Sequence, residues 1–167
     1  MSFLRVLVAV VLVGLLASCG KPPSKLRAYY GPEVTQIVVH KASRRMHLYH
    51  HDQRLRTFRV QLGGNPVGHK HREGDRRTPE GDYIIDRRNP NSAFHLSLGI
   101  SYPDENDIAR AEENGWKPGG DIFIHGRGPH FRRARGDWTD GCIAVSDRQM
   151  EDIYAMVRDG TPIRINP

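Results

Sequence analysis

The chain has 167 residues, enough for one domain of ordinary size. Apolar residues make up 38% and charged residues 26%, which suits a packed core and excludes a disordered chain; two cysteines are too few for a disulfide-stapled scaffold. The net charge of +6 points to an anionic partner without choosing among nucleic acid, membrane surface and cell-wall polymer.

The first element lies at the start of the chain. Arg5 precedes an apolar run, Val6 to Leu16. That run is too short to span about 30 Å of hydrocarbon as a helix but matches the apolar region of a signal peptide. It ends in Leu16-Ala17-Ser18-Cys19, which resembles the bacterial lipobox, where small residues precede a Cys that is lipidated and becomes the new N-terminus. The resemblance implies a lipoprotein signal peptide over 1–18, a lipidated N-terminus and polar tether over 19–33, and a folded domain over 34–167. Membrane attachment is then by lipid alone. Gly20 stands where an Asp would signal inner-membrane retention, so in a Gram-negative cell the expected address is the periplasmic face of the outer membrane. The other reading is an ordinary signal peptide, or an N-terminal anchor helix, with Cys19 incidental.

From residue 34 the apolar period is mostly two. Strands are expected over 34–40, 46–49 and 55–62, the last placing Phe58, Val60 and Leu62 on one face. Residues 63–81 hold five glycines, two prolines and many charges and read as a long functional loop. Further strands are expected over 81–86, 94–98, 121–125, 142–145 and 162–165. A modest helix spans 104–114 with Gly115 placed to stop it. A better one has Ser146 as N-cap, Gln149 at capping-box spacing, and Met150, Ile153, Tyr154 and Val157 on one face, with Gly160 as its left-handed terminator. The fold class is mainly β, with two or three short helices.

Cys142 follows Gly141, and a glycine there lets the backbone turn sharply and a substrate approach closely. The backbone N–H groups of Gly141 and Cys142 at such a turn can point at a developing oxyanion. His125 closes an apolar strand before Gly126. A nucleophilic Cys needs a base or imidazolium partner to hold it as thiolate near neutral pH, but spacing alone leaves open a buried core Cys and a strand-end His that never meet.

His125-Gly126, a spacer, and Thr139-Asp140-Gly141-Cys142 resemble the signature of the L,D-transpeptidase catalytic domain (YkuD type). The likeness extends to Lys41–Tyr49, to Gly63–Lys70 with Glu73-Gly74-Asp75, to Thr78-Pro79-Glu80-Gly81 and to Gly160-Thr161-Pro162-Ile163. It implies a β-sandwich-like catalytic domain over 34–167 and a peptidoglycan stem-peptide substrate. Cys142 would be the nucleophile and His125 the general base. The carbonyl of Gly126 would orient the imidazole, and the N–H groups of Gly141 and Cys142 would hold the oxyanion. Many members carry Arg two residues after the Cys, where this chain has Ala144; Arg127, Arg132, Arg133 and Arg135 are the candidates to replace it. Thr139, Trp138, His95 and Arg127 are the candidate substrate-binding residues, while Asp140 is assigned no role and Thr78 is read as loop architecture.

No cofactor and no metal is expected. A zinc peptidase is the rival enzyme reading, because His69-Lys70-His71 and His50-His51 cluster imidazoles, but no H-E-x-x-H or spaced acidic partner accompanies them. A binding module is the other rival, and nucleic acid is not expected behind a signal peptide. Within the transpeptidase reading, cross-linking, protein attachment, carboxypeptidase trimming and release of wall-bound lipoprotein all use the same Cys and His.

Overall fold

The alternating segments form strands in the computed structural model of the chain, which describes residues 24–167. The signal-like segment, Cys19 and Gly20 lie outside the described residues. In chain order the elements are β1 (Gln36–His40), β2 (Arg45–His50), β3 (Gln53–Arg59), β4 (Gly81–Asn89), β5 (Ser97–Ile100), α1 (Glu105–Glu113), β6 (Phe123–His125), β7 (Ile143–Ala144), α2 (Asp147–Met156) and β8 (Pro162–Asn166). The strands make one sheet in the order β3-β2-β1-β8-β4-β5-β6-β7. The C-terminal β8 is inserted at its centre, parallel to β1 and antiparallel to β4.

Alternation sends Ile37 and Val39 of β1, Met46 and Leu48 of β2, and Ile163 and Ile165 of β8 into the core. The long β4 belongs to both halves. Residues 81–84 pair with β8 and residues 85–89 with β5, the second ladder carrying a register shift between Ile85 and Arg87. A bulge of this kind bends a strand, and the sheet curls there. The curl brings its two ends together: Gln61, just past β3, exchanges both backbone hydrogen bonds with Ala144 of β7, at 2.9 and 2.8 Å. The expected strand over 55–62 therefore stops at Arg59, because the next residues leave β2 to bridge to the opposite edge.

Both helices begin as their sequences dictate. Asp104 caps α1 in a reciprocal box with Asp107, and Ser146 caps α2 in the same way with Gln149. Helix α2 buries Met150 and Ile153 and packs on β5 and β6. Its end differs from expectation. Val157 leaves the helix in an extended conformation and is fully buried, while Gly160 takes its positive φ three residues later and donates its N–H to Ile85 O. The strand expected over 94–98 likewise begins only at Ser97: His95 has a φ of +80°, and its N–H turns back to Ser92 O. Part of the expected tether is fastened to the domain, with Lys25 Nζ donating to His95 O and Arg27 pairing with Glu151 and Asp152 of α2.

Candidate active site

Parallel pairing of β6 and β7 sets Ile124 beside Ile143 and His125 beside Ala144. Ile122, Ile124, Ile143 and Val145 fill the core. Alternation then turns Phe123, His125, Cys142 and Ala144 to the other face. Thiol and imidazole thus stand on diagonal positions of one short ladder, which their separation in sequence does not reveal.

The imidazole is buried and held. Its Nδ1 donates to Gly126 O at 2.5 Å, which leaves Nε2 as the unprotonated, accepting nitrogen. The ring lies 4.5 Å from Phe94 and 5.8 Å, edge-on, from Trp138. Cys142 Sγ accepts from Phe123 N–H and donates to Asp121 O, both at 3.4 Å. Burial pushes the Cys142 thiol up to about 11 against the opposing Phe123 N–H, and Asp140 and Asp121 add to the rise. Burial also lowers His125, against the opposing pull of the Gly126 carbonyl. Burial therefore favours thiol and neutral imidazole over a resting thiolate: both groups are desolvated and no cation close by outweighs that.

Two glycines have no substitute. Gly141 has a φ of +133°, and a Cβ there would sit 2.6 Å from Arg77 O; a Cβ on Gly126 would sit 2.6 Å from Asp147 Oδ1 and 2.7 Å from Phe94 O. Asp147 was not anticipated. From the first turn of α2 its carboxylate accepts the N–H groups of Arg127 and Gly128, at 2.6 and 2.9 Å, and so fixes the turn that carries the Gly126 carbonyl. Of the two proposed oxyanion donors, the Gly141 N–H is engaged by Thr139 Oγ1 at 3.3 Å, whereas that of Cys142 has no acceptor among the described residues.

Thr139 is buried and its hydroxyl donates to Cys142 O at 2.7 Å, so its side chain shapes the turn instead of facing a ligand. Trp138 stands beside His125 and donates its indole N–H to Gln61 Oε1. Arg127 reaches the same Gln61 oxygen at 2.6 Å. His95 departs from its expected place in the cleft: its ring pairs with Glu151 of α2 at 2.9 Å. Thr78 is fully buried and accepts the Gly63 N–H, as loop architecture.

Cys142 opens into a cavity of about 420 Å³ whose walls include Asp121, Asp140, Gly119, Glu73 and Lys70. Lys70 is another residue the sequence did not single out; it is 3% exposed and donates to Asp75 at 2.9 Å. The paired histidines of the metal reading are otherwise employed. His69 bonds Glu80 through Nδ1 and Asp107 through Nε2, and among the described residues no three His, Cys, Asp or Glu side chains converge to hold a metal ion.

A thiol and an imidazole on one face of a short ladder, with a backbone carbonyl orienting the ring, are the groups that cysteine nucleophilic chemistry requires. The family model for the L,D-transpeptidase catalytic domain (YkuD) matches residues 34–165, and the chain belongs to that family. It is 26% identical over 128 residues to the Escherichia coli (strain K12) protein named "Putative L,D-transpeptidase YafK", covering 72% of this chain and 46% of that one. Among solved structures it resembles the helical cell shape determining protein Pgp2 (K307A mutant) from Campylobacter jejuni, with a TM-score of 0.63 and 26% identity over 82% of this chain and 48% of that chain. It shares its fold with Bdellovibrio bacteriovorus Bd1075, with a TM-score of 0.57 and 23% identity over 84% of this chain and 51% of that one. The chain thus spans about half the length of these relatives.

Proposed function

We propose that the chain is a cysteine-dependent L,D-transpeptidase acting on peptidoglycan stem peptides through a thioacyl-enzyme. The observation that carries this reading is the placement of Cys142 and His125 on one face of the β6–β7 ladder, with Nδ1 pinned to Gly126 O so that Nε2 is the base. Because the resting thiol is protonated, attack and deprotonation are coupled: Nε2 takes the Sγ proton as sulfur adds to the carbonyl joining the diamino acid to the terminal D-alanine. The Cys142 N–H faces the oxyanion. Nε2–H then protonates the departing amine and the thioester remains. An incoming amine, giving a cross-link or a protein attachment, gives up its proton to Nε2 and releases the thiol; water in its place gives trimming or release.

Cys142→Ala is expected to abolish acyl-enzyme formation and leave the fold intact by circular dichroism; retained turnover of purified peptidoglycan would overturn the assignment. Muropeptide masses identify the acceptor, since direct links between diamino acids report an amine and shortened stems report water. We further propose lipid attachment through Cys19 at the periplasmic face of the outer membrane, supported by the lipobox-like Leu16–Cys19 and by Gly20. Cys19→Ser should move the protein from the membrane to the soluble fraction.

A further inference from the structure

A second cavity, of about 810 Å³, opens at the Ala144 end of β7 and includes Arg44, Arg59, Arg127 and Gln61 in its walls. Its charges do not balance. Asp137 is spent on Arg44, which donates to it from Nε and Nη2 at 3.0 and 2.7 Å, and on the N–H of Leu62. The Arg127 guanidinium donates only to neutral acceptors, Arg132 O at 3.0 Å and Gln61 Oε1 at 2.6 Å, and its Nε is buried with no partner among the described residues. Neither Arg59 nor Arg127 has a carboxylate at ion-pair distance among the described residues. A partly desolvated guanidinium with open donors and no counter-charge is the arrangement an anion completes.

Ala144 and Cys142 point from the same face of β7, two residues or about 7 Å apart. The reacting sulfur therefore opens into one cavity while the arginine cavity begins one side-chain pair further along the strand. The methyl of Ala144 leaves this second space open, and Ala42 gives it apolar wall as well as charge. That mixture suits a carboxylate on a carbon skeleton better than a bare inorganic anion.

We propose that this cavity binds the terminal carboxylate of a second peptide, the one whose amine resolves the acyl-enzyme, with Arg127 as its ligand and Arg59 closing the rim. The identity of the peptide rests on the transpeptidase reading above; the anion site itself does not.

The test uses the full chain carrying Cys142→Ala, so that nothing turns over, and titrates it calorimetrically with a tripeptide ending in a diamino acid, as free acid and as C-terminal amide. The free acid is expected to bind at least tenfold more tightly, with the preference falling below about twofold when Arg127→Gln is added. Arg59→Gln, on an exposed residue whose loss leaves the fold alone, is expected to cut the preference at least threefold and serves if Arg127→Gln misfolds. Equal binding of acid and amide, no binding of either, or a preference that survives these substitutions overturns the proposal. Failure of the transpeptidase reading shows separately, as absence of thioacyl-enzyme on unsubstituted protein mixed with peptidoglycan, whatever the acid preference.

Discussion

The two loops that wall the Cys142–His125 pair are held by opposite means. Residues 63–80 are stitched by buried charge. Lys41, 2% exposed, donates to Gly68 O, Thr78 O and Glu80, and Lys70 donates to Asp75, whose carboxylate also accepts the N–H groups of His71, Arg72 and Arg77. Residues 129–136, between the turn that Asp147 holds and the Asp137–Arg44 ion pair, are held by half-exposed rings and backbone: Phe131 stacks on Trp138 at 4.7 Å and on Phe94 at 5.4 Å, and Gln61 donates to Gly136 O. Buried ion pairs add little net stability but are costly to break, because each leaves a stranded charge. Stacked surface rings are cheap to part. The first wall is therefore expected to cost more to break than the second.

Asp75→Ala is the strongest way to break this contrast. It strands the Lys70 ammonium and three N–H groups in the wall of the Cys142 cavity, and the expected loss is about 3–5 kcal/mol in urea unfolding. It should also perturb the site, because the Arg77 N–H is held by Asp75 and the Arg77 carbonyl packs on Gly141. A loss below about 1 kcal/mol would show that Lys70 escapes to solvent and that the loop is not fixed by charge. Acid tests the same point. Burial works against the ionised Asp75, yet the N–H groups of Arg77 and His71 together with Lys70 hold its pKa below the usual carboxylate range. Its contribution is thus complete above pH 4 and fades as pH falls through the depressed value.

The pair between the loops gives the next effect. With the thiol pushed up to about 11, alkylation of Cys142, followed by peptide mass mapping to separate it from Cys19, should still be accelerating above pH 9. A midpoint near 8 would mean that the resting site holds a thiolate after all. Since burial also lowers His125, the acid limb of kcat/KM should lie below the ordinary imidazole range near 6.5.

How much of this was legible in sequence follows the range of the interactions. The Ser146–Gln149 box spans four residues and was read correctly, as were β1, β2 and β8 from their alternation. The ends of elements failed where a distant group decided them: Val157 ends α2 to fill the core, and the turn at Ser92 and His95 delays β5. Cys142 and His125 were found by resemblance, since the ladder that joins them is not local. Gln61 and Asp147 act only through partners far along the chain, which no local pattern reports, and Lys70, though its partners Arg72 and Asp75 are near in sequence, lies in a charged loop whose composition gives no sign of its burial. Gln61 did carry a signal, being the polar position between core-facing Val60 and Leu62, where alternation turns it towards the site.

Phe131→Ala probes the weaker wall. The two stacking contacts amount to about 1 kcal/mol, and their loss should leave most of the stability in place while exposing the His125 ring to solvent. The expected signature is faster modification of His125 by diethyl pyrocarbonate with a small change in unfolding midpoint. A loss like that of Asp75→Ala would make the two walls equivalent.

The smallest effect should come from the outer arginines of the same loop. Sequence alone does not separate Arg132, Arg133 and Arg135 from Arg127. The structure separates them by direction. The guanidinium of Arg127 is turned inward to Gln61, with its Nε buried, whereas residues 132, 133 and 135 are exposed and Arg132 contributes to the site only through its carbonyl. Exposed charges without partners are worth within about 0.5 kcal/mol. Arg133→Gln and Arg135→Gln together should therefore shift neither the unfolding midpoint nor the rate of Cys142 acylation. A rate that fell with them, and fell less as salt was raised, would instead make the outer arginines a steering surface for the anionic wall and move the loop's charge from packing to encounter.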